Sequence, residues 1–276
     1  MYKWGMPHPL TRRAALGMPI GGLACLALGP GTRAADMVER SDLQTAFEAQ
    51  GATGAFASYD AGGGRFLVVN PRRASTRFVP ASTFKITNSL IALETGVVKD
   101  ENEIIPYGGQ PQQVKQWARD MSMREAIAMS NVPVYQEIAR RVGVERYRYW
   151  LKRLDYGNCQ VGEAVERFWL DGPLAISAIE LARFAGRLSQ GSLPVSERSQ
   201  AIVRSILKLE ETNGRTLYGK TGWAASSSPR VGWWTGWVDD RGKLTAFSLN
   251  IDMPAIEDAP KRLSIAKAIL ARLGVL

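Results

Sequence analysis

Hydrophobic and polar positions along this chain run in short strand-like blocks near its two ends and at helical spacing through the middle. Residues 54–59 and 65–69 have strand composition and are joined by Asp60-Ala61-Gly62-Gly63-Gly64, a hairpin connection whose glycines are turn material. Ahead of them, Ser41-Asp42-Leu43-Gln44 has the spacing of a capping box and predicts a helix with Leu43, Ala46 and Phe47 on one face. Residues 86–94 place Ile86, Leu90 and Leu93 at helical spacing, which predicts a buried helix opening at Pro80-Ala81-Ser82-Thr83-Phe84-Lys85. Residues 97–111 read as a loop, punctuated by Pro106, Gly108, Gly109 and Pro111.

Helical patterns then dominate. Ser122 caps a helix through Met129, Pro133 suits a first helical turn, and residues 144–154 follow the turn at Gly143. Ser177-Ala178-Ile179-Glu180 is a second capping box, heading a helix whose Leu181, Phe184, Ala185 and Leu188 form its buried stripe. A further helix runs from Ser196 to about Lys208. Strands return at 217–223, 230–238 and 244–253, with a turn over 239–242, and a helix closes the chain over 259–273. The expectation is an α+β fold: a mainly antiparallel sheet built from N- and C-terminal segments and flanked by helices, with an all-helical lobe inserted between them.

The first residues change the picture. Lys3, Arg12 and Arg13 precede an uncharged, largely apolar run over 14–31, followed by Thr32-Arg33-Ala34, the layout of a secretory signal with cleavage after Ala34. Thr11-Arg12-Arg13 points to twin-arginine export. Glycines and prolines in a run barely long enough to span argue against a permanent anchor. Cys25 in turn lacks a lipoprotein context, because Gly22 stands where leucine is usual. Residues 1–34 are therefore expected to be removed, leaving 35–276 as one periplasmic domain without stable membrane insertion. Its sheet lobe would comprise about 35–79 and 200–276, and its helical lobe about 80–199.

Composition narrows the chemistry. The formal net charge of +9 falls to about +5 once the four cations of the signal are gone. The remaining basic residues are scattered rather than striped, which disfavours nucleic acid and suits a small anionic substrate. Past residue 34 there is one cysteine, Cys159, and no histidine, since His8 is the chain's single one. Neither an internal disulfide, nor a common zinc site, nor a Ser-His-Asp triad can be assembled from that inventory.

A serine still needs a base. Ser82 and Lys85, three residues apart, fall on one side of a helix, within reach of each other. The same spacing recurs at Ser205 and Lys208, in a run patterned as an ordinary amphipathic helix, so spacing alone does not select a site. A second coincidence is a decoy: Gly214-Arg215-Thr216-Leu217-Tyr218-Gly219-Lys220-Thr221 matches the nucleotide-binding P-loop letter for letter. A charged segment precedes it and Gly222-Trp223-Ala224-Ala225-Ser226 follows, neither being the apolar strand and the helix that hold phosphates.

Lys220-Thr221-Gly222 reads better as a pocket-lining strand. Ser82-x-x-Lys85 with a distant K-T-G is the signature of penicillin-recognising serine enzymes, and Ser130-Asn131-Val132 supplies the serine expected between them. Valine where S-D-N has its asparagine, together with Tyr156-Gly157-Asn158, Phe168-Trp169-Leu170 and Val231 to Trp237, makes the chain resemble the class D β-lactamases, the oxacillinases. The likeness covers nearly all of the chain past the signal, with the motifs in family order.

That resemblance implies Ser82 as the acylated nucleophile and Lys85, carbamylated by CO2 or bicarbonate, as general base. It implies Ser130 as the proton relay to the leaving nitrogen, Val132 as the apolar neighbour of the lysine, and Trp169 as the donor that holds the carbamate. Lys220, Thr221, Gly222, Trp223 and Arg262 would line the substrate, with Arg262 on its carboxylate and the amides of Ser82 and Trp223 forming the oxyanion hole. No metal and no bound cofactor is implied; the partner is a β-lactam, and the protein a monomer or homodimer. Elementary chemistry agrees: an ammonium with pKa about 10.4 cannot take serine's proton at neutral pH, burial lowers that value, and only the neutral amine adds to CO2. A transpeptidase and a β-lactam sensor domain share these motifs and remain as alternatives.

Overall fold

The computed structural model describes residues 37–276; the expected export signal, residues 1–34, lies outside the described residues. In chain order the elements are β1 (Met37–Glu39), α1 (Thr45–Glu48), β2 (Gly54–Asp60), β3 (Arg65–Val69), α2 (Pro71–Ala74) and α3 (Lys85–Glu94). Two short strands, β4 (Ile104–Ile105) and β5 (Met121–Ser122), precede α4 (Met123–Ala128), α5 (Val132–Val142), α6 (Val144–Leu154), α7 (Ala178–Ser189) and α8 (Glu197–Ile206). The last stretch holds β6 (Lys208–Thr212), β7 (Arg215–Ala224), β8 (Val231–Asp240), β9 (Lys243–Asp252) and α9 (Ala259–Arg272).

Seven strands form one sheet in the order β1-β3-β2-β9-β8-β7-β6. Every neighbouring pair is antiparallel except β1 with β3. The first and last thirds of the chain therefore meet at β2–β9, where Phe56 lies opposite Leu249 and Ser58 opposite Phe247. This is the expected α+β architecture, with one correction: the inserted stretch is not all-helical, because β4, inside the segment read as a loop, pairs antiparallel with β5.

Strand alternation sorts the core into two layers. Trp233 and Trp237 join the larger cluster with Phe84, Leu90, Tyr147 and Leu181, while Trp234 and Val238 join Phe47, Phe56, Ile265 and Ile269 beneath α1 and α9. Close approach of α7 to the sheet depends on Gly186, where a Cβ would stand 2.5 Å from the Tyr59 ring.

Local signals match in most places. Ser122 and Ser177 both form reciprocal capping boxes, with the Glu125 and Glu180 carboxylates accepting hydrogen bonds from the cap amides. At Ser41 the capping box does not form. Arg40 takes the N-cap there, which leaves Ser41 one position too far in to reach the required amide, and the Arg40 guanidinium pairs with Asp42 at 2.7 Å. Only a 3₁₀ turn and one turn of α1 result, although Leu43, Ala46 and Phe47 are buried as their spacing implied.

The helix expected to reach Lys208 stops at Ile206, and Lys208 opens β6 instead. All five β6 residues are exposed. An edge strand needs one partner and tolerates charge on the free side, so a segment too charged for a central strand still pairs with β7.

Candidate active site

The Ser82 segment reaches its position through three backbone and side-chain ties. Phe78 exchanges backbone hydrogen bonds with Ile176, the Trp233 indole donates to the Val79 carbonyl at 2.9 Å, and the Ala81 amide donates to the Trp169 carbonyl at 2.9 Å. Ala81 itself is left-handed, with φ of 49°, a conformation that costs an alanine energy and persists only where surroundings impose it. Ser82 lies in a 3₁₀ turn, Ala81–Phe84, and Lys85 is the first residue of α3. The expectation of one continuous α-helix is corrected to that extent. In a 3₁₀ turn residues three apart eclipse, and Lys85 Nζ donates to Ser82 Oγ at 2.8 Å.

Nine of the ten α3 residues are buried, so their polar groups need partners inside the protein. The Tyr147 hydroxyl donates to Asn88 Oδ1 at 2.7 Å, and the Ser89 and Tyr135 hydroxyls lie 2.8 Å apart. Lys85 is fully buried, with its amine 5.3 Å from the centroid of the Tyr135 ring. Desolvation, and then the charge of Lys220, hold its pKa well below the ordinary lysine value.

Trp169 is fully buried, packed against Phe84 at 5.5 Å and Phe168 at 5.1 Å between ring centroids. Its Nε1 is buried without a hydrogen-bond partner among the described residues. A buried indole N–H with nothing to donate to is uncommon.

Ser130 occupies the turn between α4 and α5 with φ of 55°. Asn131 caps α5 by accepting from the Val134 amide at 3.0 Å, and its own amide group donates to the Trp117 carbonyl at 3.2 Å. Val132 is the first residue of α5, and helical spacing puts Tyr135 on the same side. Tyr135, which faces the lysine, belongs to no motif; its place three residues after Val132 is the one signal for it in the sequence.

Lys220, Thr221, Gly222 and Trp223 follow one another along β7, opposite Thr235, Trp234, Trp233 and Gly232 of β8. The whole of 215–224 is strand, so the P-loop likeness has no helix at its lysine. Lys220 is buried and donates to the Thr221 carbonyl at 3.1 Å. Desolvation, and after it the Arg262 guanidinium, push its pKa down to about 7.

β7 runs directly against the Ser82 turn. A Cβ on Gly222 would stand 3.0 Å from the Pro80 carbonyl and 3.1 Å from the Thr83 amide nitrogen. Trp223 is tied sideways, its indole donating to the Met253 carbonyl at 2.9 Å. Arg262 reaches in from α9: Nη1 donates to the Gly222 carbonyl at 2.7 Å and Nε to the Ala259 carbonyl at 3.0 Å. Burial lowers its pKa to about 10.

Ser82, Lys85, Lys220, Gly222 and Arg262 are thus linked by direct contacts or electrostatic coupling, with Trp169 joined through the Ala81 amide. The arrangement offers a hydroxyl held by a buried amine of lowered pKa, an indole donor with no partner among the described residues, and two buried basic side chains beside one strand.

The chain is similar to known proteins. Residues 47–273 match the family model of the penicillin binding protein transpeptidase domain. The β-lactamase OXA-48 of Klebsiella pneumoniae is 43% identical over 201 residues, 73% of this chain and 76% of that protein. OXA-5 of Pseudomonas aeruginosa is 41% identical over 210 residues, 75% of this chain and 79% of its own. The chain belongs to the class D β-lactamases. The crystal structure of the class D β-lactamase FUS-1 (OXA-85) from Fusobacterium nucleatum superposes with a TM-score of 0.83 at 38% identity, covering 86% of this chain and 99% of that one. The class D β-lactamase YbXI from Nostoc gives 0.82 at 39% identity, over 85% and 99%. As a class D β-lactamase the protein is a serine enzyme. Among the described residues no group of three or more His, Cys, Asp or Glu could hold a metal, and no helix is long and apolar enough to cross a membrane.

Proposed function

We propose that this class D β-lactamase hydrolyses the amide of penicillin-type β-lactams through an acyl-enzyme on Ser82, and so confers antibiotic resistance. The observation that carries this reading is a fully buried Lys85 amine 2.8 Å from Ser82 Oγ, in a site that also holds the partnerless Trp169 N–H. A neutral amine adds to CO2, forming an N–C bond and releasing a proton, which leaves an anionic carbamate on Lys85. The Trp169 indole donates to it, and apolar Val132 adds no group that would favour the ammonium instead.

The carbamate takes the Ser82 proton as Oγ attacks the lactam carbonyl carbon. The amides of Ser82 and Trp223 receive the oxyanion, a donor of this kind being worth about 3–4 kcal/mol of barrier. As the C–N bond breaks, Ser130 passes a proton to the leaving nitrogen. Water then attacks the ester with the carbamate as base, freeing Ser82. Lys220, with Thr221 beside it, and Arg262 pair with the substrate carboxylate.

The enzyme acts in the periplasm as residues 35–276, a single domain freed of its export signal, as a monomer or homodimer. The test is penicillin hydrolysis in degassed buffer with and without added bicarbonate. Turnover rises severalfold on addition if Lys85 works as a carbamate; equal rates under both conditions reject that assignment.

A further inference from the structure

Five methionines lie among the described residues, and they differ sharply in access. Met121, Met123 and Met253 are fully buried, Met37 is half-buried, and Met129 is exposed. Met129 caps the C-terminus of α4 and immediately precedes Ser130, whose φ of 55° marks a turn with little slack. Exposed side chains around it are tied to one another. The Trp117 indole donates to the Met129 carbonyl at 3.1 Å, and Arg119 Nη2 lies 3.9 Å from Met129 Sδ. The same Arg119 nitrogen donates to Glu125 Oε1 at 3.0 Å. Glu125 is also the residue that closes the capping box of α4.

A thioether is a weak acceptor, so Arg119 gains little from Met129 and its main partner is Glu125. A sulfoxide carries a polar S=O oxygen that a guanidinium binds well. We propose that Met129 is a site of reversible oxidation by peroxides or hypochlorite, at which Arg119 captures the sulfoxide oxygen and draws the Met129–Ser130 turn out of position. In the balanced step the sulfur lone pair attacks one peroxide oxygen and the O–O bond breaks. Sulfur loses two electrons, and the second peroxide oxygen leaves as water after taking the proton carried by the first; with hypochlorite the O–Cl bond breaks instead and chloride leaves. Capture shifts Arg119 away from Glu125 and pulls on the backbone whose carbonyl Trp117 holds. The consequence for turnover rests on the role proposed for Ser130; the oxidation itself does not.

The experiment treats the whole protein with graded hydrogen peroxide, maps added oxygen peptide by peptide, and follows penicillin turnover. One oxygen is expected on Met129 before any appears on Met37, Met121, Met123 or Met253. Turnover should fall roughly fivefold, the scale of one redirected hydrogen bond, and return after treatment with methionine sulfoxide reductases. Met129→Leu, close in volume and without sulfur, should keep its untreated turnover through the same exposure. Arg119→Gln should still be oxidised at Met129 but lose clearly less turnover than the parent. Oxygen arriving first on another of these methionines, or parallel losses in the parent and Met129→Leu, would overturn the proposal. A wrong role for Ser130 gives a separate signature: Ser130→Ala turns over normally without any oxidant, while the order of oxidation is unchanged.

Discussion

Arg262 donates from Nη1 to the carbonyl oxygen of Gly222 at 2.7 Å, which ties the last helix to the strand facing Ser82. The same guanidinium lowers the pKa of Lys220, so one side chain holds the strand and tunes a neighbouring charge. Arg262→Ala should therefore raise KM for penicillin about tenfold or more, the scale of a lost charge-assisted pair. It should also move the pH at which substrate binding weakens to a higher value, because Lys220 keeps its proton longer. KM measured from pH 6 to 9 in both proteins checks both outcomes; an unshifted pH profile contradicts the coupling.

Lys220 also carries a stability cost. Its folded pKa of about 7 lies below the ordinary 10.5, so the full cost of burying the cation falls on the folded protein only below about pH 7. From there to about pH 10.5 the unfolded chain binds more protons than the folded one, and stability rises with pH. Lys220→Met should be more stable than the parent by roughly 2–4 kcal/mol at pH 6–7, with the gap closing toward pH 10. Urea unfolding at several pH values, in bicarbonate-free buffer, is the measurement.

Lys85→Ala should keep Ser82 within reach of substrate but remove the base. Intact-protein mass spectrometry after penicillin addition should show a lasting acyl adduct, and turnover should fall by at least ~10²-fold. A variant that folds normally and turns over like the parent would show that another group is the base.

Trp169→Phe keeps an aromatic ring beside Phe84 and Phe168 but deletes the N–H, which has no partner among the described residues, together with part of the ring volume. Carbamate retention should weaken by about tenfold, consistent with loss of one hydrogen bond to an anion. High bicarbonate should restore much of the activity. The 13C signal of labelled carbamate gives the direct reading, and an unchanged signal removes the indole from the mechanism.

Gly222→Ala tests the close approach of β7 to the nucleophile turn. The added methyl meets backbone at 3.0–3.1 Å, which cannot swing away as a flexible side chain does. Stability should fall by about 1–3 kcal/mol, and kcat should fall more than KM rises as Ser82 is displaced. Denaturant melts paired with steady-state kinetics separate the two effects.

Much of this arrangement was legible in order and kind. The cap at Ser122, the box at Ser177, the span of α6 and the return of strands after residue 215 follow from local periodicity and capping, which act over four or five residues. Ser41 fails as a cap because the competing Arg40–Asp42 pair and a one-residue shift lie below what a four-letter motif specifies. Lys208 becomes strand because β7 offers it an edge, a partner that no local pattern reveals. Tyr135 faces the lysine, and Trp117 fastens both Met129 and Asn131, without belonging to any motif.

By itself the sequence determined which groups exist to do chemistry: a serine with a lysine three residues on, no histidine past residue 8, and a K-T-G far downstream. Periodicity likewise set which stretches curl and which extend, because both depend on near neighbours. Tertiary structure alone decided that the Lys85 amine is stripped of water, that the Trp169 N–H is left unpaired, and that Arg262 turns inward onto Gly222. Protonation and hydrogen-bond satisfaction depend on what surrounds a group in space, and here those surroundings come from α5, β7 and α9, up to 180 residues distant along the chain.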